Sequence, residues 1–245
     1  MSAEIVPSRS LAQVTPLHAA RSLEATREAE INPASEAHAL VSPELLQGCR
    51  EAIQRIGDIA HGSFGITSAL RGEGRSSIAA ALAIVEWLDH ERRVVLVDLD
   101  LEQPSLHHRF GLHEGPGVGD LVQGHNSVED YVQRIVGDVW LLSAGRWRDD
   151  APRGVSRLAA STILSQLSEW ADVVVFDLPP LLTSTTGIEA ARLTGTPIMV
   201  VRAGVSPLPQ VKEAARMLPT PPSVILNGAR SAVPRWLRRS LGDLR

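Results

Sequence analysis

Residues 65 to 77 read Gly-Ile-Thr-Ser-Ala-Leu-Arg-Gly-Glu-Gly-Arg-Ser-Ser, the pattern of a short strand that breaks into glycines and restarts as a helix. From Ala69 to Ser76 the stretch follows the phosphate-binding template G-x-x-x-x-G-K-S/T with two departures. Alanine stands at the first glycine, and Arg75 replaces the lysine, which exchanges a compact point charge for a wide planar fork. Because Gly72 and Gly74 lack Cβ atoms, their amides could approach a polyphosphate closely at the start of the helix.

A glycine-rich turn without a function would look similar, but two apolar runs supply the other half of a site. Residues 94 to 100 read Val-Val-Leu-Val-Asp-Leu-Asp, and residues 172 to 180 read Asp-Val-Val-Val-Phe-Asp-Leu-Pro-Pro. Continuous β-branched runs are typical of strands buried on both faces, and open parallel sheets bind ligands at the carboxyl ends of such strands. A single aspartate there could be a turn residue. Asp98, Asp100 and Asp177 together, beside a phosphate loop, predict one site.

The composition fits one domain with extensions. The chain has 245 residues, of which 44% are hydrophobic, and a formal net charge of -4. This charge disfavours recruitment of nucleic acid or of an anionic membrane. The lone cysteine, Cys49, suits a reducing compartment. Since no apolar run approaches the roughly 20 residues that span a bilayer and the first residues do not resemble a secretion signal, we expect a cytoplasmic protein.

The basic residues are almost all arginines. Of the 24 lysines and arginines, Lys212 is the one lysine. This usage offers a neutral explanation for Arg75. It also excludes any mechanism that needs a lysine in or before the loop.

Alternating strand and helix patterns predict an α/β fold, a three-layer sandwich with a mostly parallel sheet between helices. Together with the phosphate-loop pattern of residues 69–76, this leads us to expect the P-loop NTPase fold. The domain is expected to cover residues 42–230, between a mostly disordered tail at 1–41 and a short basic tail at 231–245. After the loop, the patterns predict helices at 76–87, 155–170, 186–193 and 210–218 and strands beginning near residues 93, 140, 172, 197 and 223.

The section from residue 104 to 135 is less regular, and short helices over the binding edge are expected there. Within it, His107 and His108 could suggest a metal site. Adjacent side chains on a helix diverge and no third ligand stands at a useful spacing, so exposed polar residues are favoured.

Three motifs resemble the cytoplasmic domain of bacterial protein-tyrosine kinases of capsular and exopolysaccharide synthesis. They are residues 68–76, residues 95–100 with the following 103–106 and 110–112, and residues 174–180. The similarity extends over residues 42–230. Sister families that position division sites or partition plasmids share the fold but carry an additional lysine early in the loop, which this chain lacks.

The resemblance implies ATP and Mg²⁺ as ligands and a role for each matched position. The residues expected to contact the nucleotide are Gly72, Glu73, Gly74, Arg75, Ser76, Ser77 and, at the adenine, Asn227. The residues expected around Mg²⁺ are Ser76, Asp98 and Asp177, the last through water. Asp98 and Asp100 would lie at the γ-phosphate with Arg75. One carboxylate would orient the acceptor hydroxyl as base, and the other would contact the coordination shell of the metal. Phosphoryl transfer asks the protein mostly for such positioning and charge neutralisation.

Three departures from the family pattern bear on activity. Arg75 replaces the lysine, Glu102 stands where the family has arginine, and Tyr131 is the one tyrosine, whereas the family's tail carries clustered tyrosines that accept phosphate. If each cation change removed a few kcal/mol of transition-state stabilisation, turnover would fall by several orders of magnitude. Because amides and magnesium bind nucleotide independently, we expect nucleotide binding with weak or no kinase activity.

Three functions stay open from the sequence. The first is an ATP-binding, tyrosine-kinase-like protein of polysaccharide synthesis that reaches the inner membrane face through a membrane chain-length regulator and could form homo-oligomers. The second is a catalytically inactive docking homologue of the same export machinery. The third, a membrane-associated positioning ATPase, is disfavoured by the missing lysine.

Overall fold

The computed structural model describes residues 33–56, 62–124, 127–147 and 150–229. The strands of these residues are β1 (Gly62–Ser68), β2 (Val94–Asp98), β3 (Gln133–Val136), β4 (Val139–Leu142), β5 (Val173–Asp177), β6 (Thr196–Arg202) and β7 (Ser223–Asn227). They form one sheet in the order β3-β4-β2-β5-β1-β6-β7. Every neighbouring pair is parallel except β3 with β4. The predicted α/β fold with a mostly parallel sheet is confirmed.

The helices of the same residues are α1 (Pro33–Leu40), α2 (Pro43–Ile56), α3 (Arg75–His90), α4 (Leu106–Phe110), α5 (Val118–Gln123), α6 (Ala151–Ala160), α7 (Ile163–Trp170), α8 (Gly187–Arg192) and α9 (Leu208–Met217). A short 3-10 helix lies at Val128–Asp130. Over the described ranges, none of these helices has the length and apolar character of a membrane span.

Helices cover both faces of the sheet, which gives three layers. On one face, side chains of α2 and α3 pack on strand residues such as Ile66 and Val175. On the other face, side chains of α7, α8 and α9 pack on residues such as Phe176 and Met199. Strands β2 and β5 are buried along their whole length because successive residues enter the two cores alternately.

The strand order positions the candidate site. Strand β5 lies between β1 and β2, and its last residue, Asp177, is in register with Asp98 of β2 and with Ile66 of β1. The loop from residue 69 to 74 leaves the same end of β1. The loop and both carboxylates therefore meet near the middle of one sheet edge, the place where open parallel sheets bind ligands.

Two predictions are wrong, one about where the disordered tail ends and one about the extent of a helix. The disordered tail predicted for residues 1–41 is wrong for its last part, because Pro33–Leu40 is a helix and Ala37 and Val41 are buried in the core. Residues 1–32 and the tail at 231–245 lie outside the described residues, and the domain limits 42–230 stay a prediction. The single helix predicted at 155–170 is two helices, since the chain breaks at Ser161 and Thr162.

Two predictions for residues 104–135 also need correction. The predicted short helices are present, but the section ends in β3, which forms an antiparallel hairpin with β4. His107, predicted to be exposed, is only 2% exposed, whereas His108 is exposed. Burial, together with the neighbouring His108, lowers the pKa of His107.

Candidate functional site

Two glycines shape the loop between β1 and α3. Gly72 and Gly74 have φ angles of 79° and 97°, in the left-handed region that residues with a Cβ rarely adopt. A Cβ at Gly74 would also overlap the Asn227 amide, whereas a Cβ at Gly72 would meet nothing within 4 Å. Gly74 is therefore fixed by close packing, and the space beside Gly72 is open.

The loop is braced from the β6 and β7 side of the sheet. The buried Glu73 carboxylate accepts hydrogen bonds from the Leu70 amide, at 3.0 Å, and from the Ser206 hydroxyl. The Asn227 side-chain amide donates to the Glu73 carbonyl oxygen at 2.9 Å. Glu73 and Asn227 were both expected at the nucleotide. Their side chains hold the loop in shape, and the Glu73 carboxylate faces the protein.

Arg75, at the lysine position of the template, is 9% exposed and is directed at a carboxylate. Its Nη2 lies 3.0 Å from Asp100 Oδ2, and its Nη1 donates to the Ser68 hydroxyl at 3.4 Å. Its buried Nε has no hydrogen-bond partner among the described residues. The guanidinium thus lies between the loop and Asp100, and its Nε is available to a ligand.

A second arginine of the loop, Arg71, binds the same carboxylate oxygen. Arg71 Nη1 lies 3.1 Å from Asp100 Oδ2, and Arg71 Nη2 lies 2.9 Å from Glu102 Oε2. The other oxygen of Glu102 accepts hydrogen bonds from the Ser184 hydroxyl and from the amide and hydroxyl of Thr185. Burial acts to raise the pKa of Glu102, but these hydrogen bonds and the Arg71 charge lower it overall. Glu102 is consequently a firmly held anion.

Asp98 and Asp177 lie side by side at the ends of β2 and β5, and both are buried. Burial and the Asp177 charge raise the pKa of Asp98 to about 7. Burial likewise raises the pKa of Asp177 to about 6, although the Arg75 charge and the Ser76 hydroxyl act to lower it. Neighbouring buried carboxylates disfavour simultaneous ionisation. A proton or an additional cation at this pair would relieve the repulsion.

The Asp177 carboxylate has the features of a metal ligand. Its Oδ1 is buried without a hydrogen-bond partner among the described residues, and the Ser76 hydroxyl is close enough to lower its pKa against the effect of burial. The Asp98 carboxylate is less available, since it accepts hydrogen bonds from three backbone amides, those of Asp100, Ser105 and Leu106. Proteins commonly bind Mg²⁺ with one or two carboxylates, phosphate oxygens and water. Ser76 and Asp177 fit that pattern.

Two further observations on the described residues bear on the predicted metal and nucleotide site. No group of three or more His, Cys, Asp or Glu side chains in the described ranges is placed to hold a metal ion, and this includes Asp98, Asp100 and Asp177. A cavity of about 510 Å³, lined in part by Arg93, Gln166 and Trp170, lies at the amino ends of β2 and β5. None of the predicted site residues lines that cavity.

Several arginines of the site were missed by the sequence analysis. Arg109 Nη2 donates to the Ser77 hydroxyl at 2.6 Å, and Arg202 Nη1 donates to the Gly72 carbonyl oxygen at 3.3 Å. Arg71 was quoted within the loop but received no role. Arg202 ends a strand, so the rule that singled out the strand-end aspartates could have identified it. Nothing in the sequence signals the contact of Arg109.

The relatives found by sequence comparison are named as tyrosine-protein kinases. The chain is 33% identical over 184 residues to EpsB of Ralstonia nicotianae, a provisionally named tyrosine-protein kinase, which covers 72% of this chain and 24% of EpsB. It is 32% identical over 134 residues to tyrosine-protein kinase ptk of Acinetobacter johnsonii, covering 53% of this chain and 18% of that protein. The chain thus spans less than a quarter of the length of each. No family model matches the chain.

Solved structures agree with this relationship. The kinase domain of VpsO superimposes with a TM-score of 0.67 at 27% identity, covering 76% of this chain and 97% of that domain. The septum site-determining protein MinD of Pyrococcus horikoshii superimposes with a TM-score of 0.56 at 21% identity, over 74% of this chain and 76% of MinD, which shows the shared fold alone.

A relative of similar length shows the family by sequence. Tyrosine-protein kinase YwqD of Bacillus subtilis is 30% identical over 166 residues, covering 66% of this chain and 68% of YwqD. The chain therefore belongs to the family of bacterial tyrosine-protein kinases.

Proposed function

We propose that this chain binds ATP with Mg²⁺ at the loop of residues 69–77 and serves, in the cytoplasm, the synthesis or export of a capsular polysaccharide or exopolysaccharide. The observation that carries the proposal is the buried, unpartnered Asp177 Oδ1 at the strand end beside this loop. The relatives named tyrosine-protein kinases support the choice of nucleotide.

In the proposed complex the amides of residues 72–76 hold the phosphates. Ser76 and Asp177 would hold Mg²⁺, Asp177 through water, and Asn227 would face the adenine. The metal would supply neutralisation of phosphate charge. Asp98 is the candidate base for an acceptor hydroxyl, acting from a carboxylate that three backbone amides hold in place.

Phosphoryl transfer is expected to be weak or absent. Asp100 is held by two guanidinium groups, so it has to release at least one of them before it can act on a metal shell or a phosphate. Arg75 presents a planar fork where the template has a point charge. Tyr131 is the one tyrosine of the 245 residues and hence the one tyrosine acceptor within them.

Nucleotide binding is tested by calorimetric titration of the full chain with ATP and Mg²⁺. Wild type is expected to bind, and Asp177→Ala is expected to lose at least tenfold in affinity because the water shell of the metal loses the buried carboxylate that holds it. Asp130→Ala removes an exposed acid on the 3-10 helix and serves as the matched control. Absence of heat with wild type, in the presence of folded protein, would refute the proposed site.

Transfer is tested separately by anti-phosphotyrosine blotting after incubation with ATP and Mg²⁺. Little or no labelling is expected. Robust labelling that disappears in Tyr131→Phe would show that transfer is intact and would overturn this part of the proposal.

A second candidate is a docking homologue without transfer, held at the inner membrane face by a membrane chain-length regulator. The resting pairing of Asp100 with Arg71 and Arg75 favours it, because that network is complete without nucleotide. A cytoplasmic peptide of such a regulator should then bind equally well with and without ATP. Binding that requires ATP and Mg²⁺ would favour the kinase-like function.

A further inference from the structure

We propose that Arg71 supplies a second phosphate-binding guanidinium, with Asp100 and Glu102 as its partners while the loop is empty. The inference rests on the proposed binding of ATP to this loop and names a residue that determines its affinity. It concerns a position for which the phosphate-binding template specifies no residue type.

The position of Arg71 is suited to the role. It directly precedes Gly72, where even an added Cβ would meet no atom within 4 Å. Its side chain is 30% exposed, so solvent reaches the guanidinium. A polyphosphate seated on the amides of residues 72–76 would lie next to this open space and to the Arg71 guanidinium.

The contacts of Arg71 can be exchanged at small energetic loss. Arg71 and Arg75 both direct a guanidinium nitrogen at Asp100 Oδ2, at 3.1 and 3.0 Å. Asp100 Oδ2 is shared between the two guanidinium groups, and an ion pair with a partly exposed arginine contributes little to stability. A triphosphate brings more charge and more acceptor oxygens than Asp100, so it competes for both guanidinium groups.

Glu102 keeps Arg71 at the site during this exchange. Its Oε1 is tied to Ser184 and Thr185 by three hydrogen bonds, and its Oε2 binds Arg71 Nη2 at 2.9 Å. Arg71 binds the two acids through different nitrogens, Nη1 for Asp100 and Nη2 for Glu102. Nη1 can therefore turn from Asp100 to a phosphate oxygen while Nη2 stays on the fixed Glu102 carboxylate.

The experiment compares ATP and pyrophosphate binding by calorimetry in three variants of the full chain. Arg71→Gln removes the charge at nearly constant length and is expected to weaken binding about 10-fold to 100-fold, the range for loss of one charge-assisted hydrogen bond. Asp100→Asn removes the competing anion and is expected to tighten binding of both ligands several-fold. Arg71→Lys is expected to recover part of the loss.

Arg50→Gln is the matched control. Arg50 is also 30% exposed and also pairs with a carboxylate, Asp89. Asp89 lies near the far end of α3, about 20 Å along the helix axis from Arg75 at 1.5 Å per residue. This variant is expected to bind ATP and pyrophosphate like wild type.

The outcomes separate this inference from the proposed function. Wild-type binding with Arg71→Gln equal to Arg50→Gln would overturn the role of Arg71 and leave the nucleotide site standing. Asp100→Asn that weakens binding as much as Arg71→Gln would also overturn it, because the network would then be structural. A wild-type chain that binds neither ATP nor pyrophosphate would overturn both proposals. If Arg71→Gln fails to fold, the Arg71→Lys and Asp100→Asn affinities decide.

Discussion

Replacing Asp177 by asparagine should stabilise the ligand-free protein while removing its proposed metal ligand. Asp177 is buried, its Oδ1 has no partner among the described residues, and its neighbour in the ladder is another buried acid, Asp98. Asparagine keeps the shape, removes the charge and brings an amide hydrogen to a site rich in acceptors. If Asp177 holds the metal as proposed, its ionised carboxylate is kept at a cost in stability.

The size of the effect follows from the pKa of Asp177, which burial raises from 3.8 to about 6. Each pKa unit corresponds to about 1.4 kcal/mol, so the ionised native carboxylate lowers stability by about 3 kcal/mol. Because the folded pKa is the higher one, the native state binds more protons than the unfolded state between these values, and stability falls as pH rises through that window. The full penalty applies above about pH 7, roughly half of it remains at pH 5, and it vanishes below the unfolded value.

Asp177→Asn should accordingly raise the unfolding free energy by about 3 kcal/mol at pH 8 and by about half as much at pH 5. In a domain of this size the gain at pH 8 corresponds to roughly 6 to 12 °C in the melting temperature. Urea denaturation at both pH values measures it, and Asp130→Asn, at an exposed acid, should change stability by less than about 0.5 kcal/mol. A gain that is absent at pH 8, or equal at both pH values, would refute the reasoning about the carboxylate pair.

Three other variants test the loop, the cation and the buried pairing of α3. Gly74→Ala places a Cβ against the Asn227 amide, at a residue whose φ is 97°. The variant should lower the unfolding free energy in urea denaturation by about 1–3 kcal/mol. Stability equal to that of wild type would contradict the packing argument. Arg75→Lys should raise phosphate release from ATP above wild type, measured colorimetrically. An unchanged rate would show that Arg75 is not the cause of weak phosphoryl transfer. Glu86→Ala removes a fully buried acid that binds Arg92 at 2.7 Å, and the arginine left behind is still 18% exposed. The expected loss in urea unfolding is therefore that of one charge-assisted hydrogen bond, about 1.5–3 kcal/mol, and unchanged stability would contradict it.

The parts of the fold that could be predicted are those whose sequence pattern has one structural solution. Strands β2 and β5 were predictable because both of their faces are buried, which leaves a continuous apolar run. Strand β3 was not, since it is a short edge strand with mostly unburied residues whose conformation comes from pairing with β4. Helix α1 was not either, because Ala37 is its one buried side chain and its apolar face is correspondingly weak.

The same distinction holds within the site. The meeting of the loop with Asp98 and Asp177 could be predicted because it depends only on parallel strands ending at one edge. The position of the Glu102 side chain could not, since it depends on Ser184 and Thr185, which are more than 80 residues away along the chain. Glu102 therefore looked like an anion facing the phosphates, whereas it is tied to the loop after β5 and to Arg71.

The network changes how the substitutions in this chain should be interpreted. From the sequence, Arg75 and Glu102 are two separate substitutions, each expected to lower the turnover rate, and their effects would multiply. In the structure Arg75, Asp100, Arg71 and Glu102 form one chain of ion pairs, and effects of residues in one network are not additive. Arg71, which is paired with Glu102, would under our proposal take the place of the arginine that the family resemblance leads one to expect at position 102. A site altered in this concerted way keeps two guanidinium groups beside the phosphate loop, which would favour nucleotide binding once Asp100 releases them, while their pairing with Asp100 would oppose transfer.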